Sequence, residues 1–207
     1  SGSIGGVRIR SQGRWSAERG SRYPRPGGML GHGGFVVSDL ARAHRFGALI
    51  QPAASRDRSA LLMTAMTPNL GPSLDLLADI IRNPAFAPAE VERLRAQQLA
   101  LIAEELTQPA GLAQRALPPL IYGPEHPYGH PPSGTGREAS IKAVRREDLV
   151  RVHQAWIRPD TATIFAVGDI PLSTLLAELE RRFGDWRPPA APKGVKRFVE
   201  PPAAQAR

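Results

Sequence analysis

Hydrophobic positions change period several times along the chain, and each change marks an element. Between Gly47 and Met66 the pattern is extended. Ala60, Leu62 and Thr64 alternate with Leu61, Met63 and Ala65, while Pro52 and the Ser55–Arg58 cluster mark a turn between two strands. Thr67-Pro68-Asn69 closes the second strand. A helix capped by Ser73 is expected to run to Arg82, with Leu74, Leu77, Ile80 and Ile81 on one face, and Asn83-Pro84 ends it. Pro88 opens the next helix, with Glu90 and Glu92 in its first turn, where the dipole favours negative charge. Its expected buried side is Val91, Leu94, Leu101 and Ile102, and it runs to about Gln108. A further helix is expected over 112–122.

Residues 123–136 hold so many Gly and Pro (Gly123, Pro124, Pro127, Gly129, Pro131, Pro132, Gly134, Gly136) that only a loop fits. Leu149, Val152, His153 and Trp156 then recur at helical spacing, and Arg158-Pro159-Asp160 reads as a turn. The apolar run 162–167 is expected to be a strand buried on both faces. Leu172, Leu175, Leu176, Leu179 and Phe183 form an amphipathic helix ended by Gly184. From Pro188 to residue 207 the Pro/Ala-rich composition predicts a linker. Strands, helices, a strand and a helix in that order predict an α+β domain over 46–187, with helices on one face of a mostly antiparallel sheet.

The first 45 residues change the picture. Residues 1–34 hold 10 of the 20 Gly and show no sustained period, so the segment 1–45 is expected to be disordered or not native sequence. It carries eight Arg against Glu18 and Asp39, so most of the net charge of +8 sits there, and the rest of the chain is nearly balanced. Arg outnumbers Lys 24 to 3, a bias that points to a GC-rich genome rather than to selection for phosphate binding. Clustered Arg with Trp15 and Tyr23 is compatible with a nucleic-acid arm, but no folded module that reads bases accompanies it, so no specific nucleic acid is expected. With 207 residues, 42% of them hydrophobic, the chain can bury a core. The absence of Cys removes disulfides, thiolate zinc sites and Cys nucleophiles. No apolar run approaches the roughly 20 residues of a membrane span, and no signal peptide is visible in a chain that opens at Ser1.

Candidate chemistry is sparse. His126 and His130 are four apart, but Pro127, Gly129 and Pro131 exclude a helix there and no Glu lies between a paired set, so a structural loop is expected rather than a metal site. His153, on the apolar face of its helix, is expected to be a core histidine with its ring nitrogen satisfied locally. Gly168-Asp169 follows a strand as in some nucleotide sites, yet no Gly-rich phosphate loop follows. No complete set of catalytic, metal-binding or cofactor-binding residues assembles from the sequence.

One ordered series is specific. Asn83-Pro84-Ala85-Phe86, Glu92-Arg93, Tyr122-Gly123-Pro124-Glu125-His126-Pro127-Tyr128-Gly129, Gly134-Thr135-Gly136, Asp148-Leu149, Trp156, Arg158-Pro159-Asp160, Val167-Gly168-Asp169 and Phe183-Gly184-Asp185-Trp186 follow one another over 46–190. The series resembles the insulinase/pitrilysin family of inverzincin zinc metallopeptidases. That resemblance implies an α+β unit that pairs with a homologous half and closes around an unfolded peptide. It also implies zinc bound by H-x-x-E-H plus a downstream Glu. This chain has no H-x-x-E-H, and aligning the flanking signatures places Leu94 and Leu101 where catalytic halves carry two Glu; Glu104 and Glu105 lie about a turn away.

The resemblance therefore implies a non-catalytic half cut from a longer chain, inactive alone and holding no metal or cofactor itself. Zinc would sit in a catalytic half on the same or a partner chain, and the substrate would be a peptide or protein. The alternative is a non-proteolytic scaffold or assembly subunit with the same fold; a nucleic-acid arm is a distant third. A bacterial cell envelope (periplasm) or the cytoplasm fits equally. Leu101 is expected to pack against the sheet in line with Leu94, so that Leu101→Glu would cost about 2–4 kcal/mol.

Overall fold

The computed structural model describes residues 47–55, 57–195 and 200, together with the backbone of residues 4–12. Four strands, β1 Ile4–Gln12, β2 Leu49–Ala54, β3 Arg58–Met66 and β4 Ala162–Val167, make one antiparallel sheet in the order β2-β3-β1-β4. Six helices accompany it among the described residues: α1 Leu70–Arg82, α2 Pro88–Thr107, α3 Pro109–Tyr122, α4 Glu138–Ala143, α5 Arg146–Trp156 and α6 Leu172–Phe183. The domain is α+β.

The principal core lies on one side of the sheet. Ile50, Met63 and Ala65 from β2 and β3 are buried against Leu74, Leu77, Ile80 and Ile81 of α1, with Leu179 and Phe183 of α6 packed alongside. Met63, Leu74 and Leu77 are fully buried, each stabilising the fold by about 1.5–3 kcal/mol. α1 starts three residues earlier than its expected cap. Ser73 lies inside it, and its hydroxyl donates to the Asn69 carbonyl at 2.6 Å instead of capping the first turn. Arg182 of α6 ties the two helices together, donating to Asp75 at 2.7 Å and to the Gly71 carbonyl at 2.8 Å.

A second core joins Phe86, Val91, Val144 and Leu149. Phe86 adopts φ 45°, a left-handed conformation costly for an aromatic residue. It is held there by burial of its ring and by Arg146, whose Nε donates to the Phe86 carbonyl at 3.0 Å.

Within the segment 1–45, Ile4–Gln12 form β1, which lies between β3 and β4 in the interior of the sheet. Its alternation, Val7-Arg8-Ile9-Arg10, is only four residues long and is flanked by Gly, too short to register as a period. Pairing on both sides supplies what the side-chain pattern does not announce: Val7 and Ile9 stand opposite Met63 and Leu61 on one side and Ala166 and Ile164 on the other. Trp15 and Tyr23 lie outside the described residues.

β4 is not buried on both faces. Ile164 and Ala166 pack on the core, whereas Phe165 is 50% exposed and Val167 81% exposed. It is the outermost strand of the sheet, and helices cover only its inner face. After Pro188 the chain keeps contact with the domain as far as Gly194. The Arg158 guanidinium donates to the Ala191 carbonyl at 2.6 Å and the Gly194 amide to the Ala155 carbonyl at 2.9 Å. A Cβ on Gly194 would lie 2.3 Å from the Trp156 ring, so only Gly permits this approach. No described helix is long and apolar enough to cross a membrane.

Candidate functional site

The positions that bear on zinc lie on α2. Successive helical residues turn through about 100°, so residues seven apart fall on one stripe. Leu94 and Leu101 do share a stripe, but it is not the buried one. The inward stripe is Val91, Gln98 and Glu105, joined by Ile102. Leu94 is half-buried and Leu101 is 39% exposed, so Leu101 does not pack against the sheet as the sequence suggested. Hydrophobicity alone would turn both Leu inward; here two polar residues take the interior because they have partners there.

Those partners form a network around the Gly134-Thr135-Gly136 loop. The Gln98 side-chain amide donates to the Thr135 carbonyl at 3.1 Å. Glu105 accepts from the Arg115 guanidinium at 2.5 Å and from the Thr135 hydroxyl at 2.9 Å, and Arg115 also donates to the Gly136 carbonyl at 2.6 Å. Burial pushes the Glu105 carboxyl up, but hydrogen bonds from Ser133, Arg115 and Thr135, with the Arg115 charge, together hold it below the ordinary carboxylate value. Glu105 is thus committed to a structural ion pair. Gly134 and Gly136, with φ of 78° and 79°, supply the left-handed turns that bring Thr135 into the network.

α3 begins immediately after α2, three residues before the expected start, through the single extended residue Gln108. The turn is so tight that a Cβ on Gly111 would stand 2.0 Å from the Glu105 carbonyl oxygen. α3 is inverted in the same sense as α2. Arg115 points inward, while Leu112, Leu117, Leu120 and Ile121 are 48%, 55%, 81% and 50% exposed.

The remaining candidates are structural. His126 is buried in the loop after α3, its Nδ1 accepting from the Tyr128 amide at 3.0 Å and its ring stacked on Tyr122 with centroids 5.3 Å apart. Tyr128 reaches the β2–β3 turn, donating to Asp57 at 2.8 Å. His130 lies in the same loop, half-buried. His153 Nε2 meets the Ile81 carbonyl at 2.8 Å, and burial lowers its pKa below the ordinary value while that bond works in the opposite direction. Gly168-Asp169 forms an exposed bend after β4.

The residues present do not fit zinc. Leucine supplies no donor atom at 94 or 101, Glu105 is taken by Arg115 and Thr135, and the described residues contain no group of three His, Cys, Asp or Glu able to hold a metal ion. The sequence signal that was missed was a pair of polar residues, Gln98 and Arg115, set among leucines and alanines, together with the Gly-Thr-Gly loop they serve.

Residues 143–207 match the family model of the peptidase M16 inactive domain. No curated protein matches the sequence. Among solved structures, the chain is similar to a peptidase M16 inactive domain from Pseudomonas fluorescens (TM-score 0.79, 21% identity), covering 96% of this chain and 48% of that one. It is also similar to a protease from Helicobacter pylori (TM-score 0.77, 19% identity, 96% and 49% covered) and to the first half of the periplasmic protease PqqL from Escherichia coli (TM-score 0.70, 16% identity, 98% and 45% covered). The chain therefore spans about half the length of these solved chains. It shares the fold of these solved chains, and the family-model match falls on its C-terminal third.

Proposed function

We propose that this chain is the non-catalytic half of an M16 zinc metallopeptidase and forms one wall of the chamber that binds unfolded peptide. Zinc and the water-activating Glu belong to a catalytic half, on the same or a partner chain; no residue here touches the reacting atoms. The observation that carries this reading is the chemistry of α2, where the two expected carboxylate positions are Leu94 and Leu101 and the adjacent Glu105 is bound to Arg115. The peptide-binding part of the proposal rests on the open face of the sheet, where Leu49, Met66, Phe165 and Val167 are all exposed, and on a shallow depression of about 390 Å³ lined by Gln51, Ala53, Arg58 and Leu62.

Calorimetric titration of the chain with zinc tests the first part. The expected result is no stoichiometric binding at sub-micromolar concentration, and such binding would overturn the assignment. Fluorescence anisotropy of a labelled unfolded polypeptide tests the second. Binding that Phe165→Asp weakens by about tenfold supports a chamber wall; no binding to the wild-type chain leaves the scaffold role as the better reading.

A further inference from the structure

We infer that the open face of the sheet selects acidic segments of unfolded peptide, those with two carboxylates two residues apart, through the arginines at positions 8 and 10 of β1. The inference rests on the proposal that this face binds peptide and adds the chemistry it chooses. Residues directly opposite one another in a sheet share a face, and faces alternate along each strand. Arg8 stands opposite Leu62 on one side and Phe165 on the other, and Arg10 stands opposite Ala60 and Thr163. Thr163 and Phe165 are exposed, whereas Leu61, Met63, Ile164 and Ala166, at the intervening register, belong to the core side. Positions 8 and 10 therefore fall on the open face. Arg58, exposed at the start of β3 and opposite Gln12, falls on it too. No outward position of the four strands carries an acidic residue. The nearest acids in sequence, Asp57 and Asp169, lie in the β2–β3 turn and in the bend after β4.

This charge governs what can occupy the face. A folded domain packed flush on it would have to desolvate three arginines for which the face supplies no counter-charge, and burying an unpaired charge is strongly unfavourable. An acidic peptide brings the counter-charge itself and leaves the rim in water. Guanidinium meets carboxylate through two parallel hydrogen bonds, a fit that Lys does not reproduce. The spacing also matches. Residues i and i+2 of a strand lie about 6.5–7 Å apart, and so do those of an extended peptide, so a peptide lying along β1 can set two carboxylates over positions 8 and 10. Because β1 is paired on both sides, its backbone is already used by the sheet, and recognition falls to side chains. Leu62 and Phe165 flank position 8 on the neighbouring strands, each about 4.8 Å away, and the shallow depression lined by Gln51, Ala53, Arg58 and Leu62 lies beside it over β2 and β3. These apolar neighbours suit polypeptide side chains. Single-stranded nucleic acid is held by rows of stacking aromatics, and Phe165 is the one aromatic residue at an outward position of the four strands.

Fluorescence anisotropy of the full 207-residue chain with labelled peptides of about ten residues, long enough to span β1, is the test. The peptides share one Gly/Ser/Val sequence and differ at the centre: Glu-Val-Glu, Gln-Val-Gln, Lys-Val-Lys or adjacent Glu-Glu. At about 50 mM salt, Glu-Val-Glu should bind about five- to tenfold more tightly than Gln-Val-Gln, with Lys-Val-Lys weakest. At about 1 M salt, where the Debye length is about 3 Å, the gap should fall below about twofold. Adjacent Glu-Glu should bind at least about threefold more weakly than Glu-Val-Glu, because alternate side chains of an extended peptide point to opposite faces. The double variant Arg8→Glu with Arg10→Glu should reverse the order and favour Lys-Val-Lys, a result that misfolding cannot mimic. Equal affinity for the Glu, Gln and Lys peptides would leave peptide binding intact and overturn the selection of acid. Equal affinity for Glu-Val-Glu and Glu-Glu would reduce the effect to general attraction and overturn the roles of positions 8 and 10. An oligothymidylate that binds more tightly than Glu-Val-Glu at the same salt would assign the face to nucleic acid and overturn the inference. Binding of none of the peptides would bring down the peptide-binding reading together with it.

Discussion

Replacing Glu105 by Leu probes the polar interior of α2 directly. The substitution removes the acceptor of the hydrogen bonds from Arg115, Thr135 and Ser133, the first of them charge-assisted, and leaves the Arg115 guanidinium, whose side chain is only 15% exposed, without its counter-charge. Breaking a fully buried pair by deleting one partner costs about 3–5 kcal/mol. Here Glu105 keeps 22% exposure and Arg115 retains the Gly136 carbonyl, so about 2–3 kcal/mol is expected. For a domain of this size that lowers the melting temperature by about 5–10 °C. Urea unfolding followed by circular dichroism measures it.

The double variant Glu105→Leu with Arg115→Leu should recover most of the loss, because it leaves no unpaired charge inside. The pH dependence has a fixed sign. The folded-state pKa of Glu105 is lowered, so its contribution is fully present above the ordinary carboxylate pKa and is lost as pH falls through the folded value. The acid limb of the stability curve should therefore be shallower in Glu105→Leu than in the wild type. A loss below about 0.5 kcal/mol, or a double variant worse than the sum of the singles, would refute the claim that this pair organises the loop.

Leu101→Glu should change stability by less than about 0.5 kcal/mol in the same urea assay, since the side chain is 39% exposed and the carboxylate can reach water. Gly111→Ala should destabilise by several kcal/mol or prevent folding, which soluble yield and melting temperature report, because its Cβ collides with the Glu105 carbonyl. Phe86→Ala should cost about 3–5 kcal/mol by chemical denaturation, from loss of the buried ring alone, since the left-handed backbone strains Phe and Ala alike. For His153, burial lowers the folded pKa, so its neutral form favours folding above the ordinary His pKa and that contribution falls as pH drops through the folded value. Stability of His153→Leu should accordingly be flatter than wild type on the acid side of neutrality.

The sequence was legible where apolar residues face the sheet. Leu74, Leu77, Ile80 and Ile81 on α1 are all buried, as their spacing predicts. The loop 123–136 was equally plain, because Gly129 permits an approach to the Gly123 carbonyl that a Cβ would block at 2.0 Å. Legibility failed where pairing replaces pattern. β1 is specified by neighbours on both sides more than by its own brief alternation. It failed again on α6, where Leu172 and Leu176 belong to an apparently continuous apolar stripe yet are 69% and 55% exposed, while the charged Arg182 is buried because Asp75, Glu178 and the Gly71 carbonyl satisfy it.

The α2–α3 pair shows what such inversions mean physically. A helix hairpin that turned Leu94, Leu101, Leu112, Leu117 and Leu120 inward would need no network, and its polar residues would face water. Here the hairpin instead holds Gln98, Glu105 and Arg115 inside and leaves much of its apolar surface outside. That arrangement sacrifices burial of several leucines, each worth about 1.5–3 kcal/mol if fully buried, in favour of hydrogen bonds worth about 1–3 kcal/mol each. For an isolated domain the exchange is close to neutral at best. It becomes favourable once the exposed leucines are covered by another surface, because their burial is then recovered without giving up the network. The register of α2 thus has one cause and one consequence: Gln98 and Glu105 find their partners inside, and Leu101 is left outward, where only a further surface could bury it.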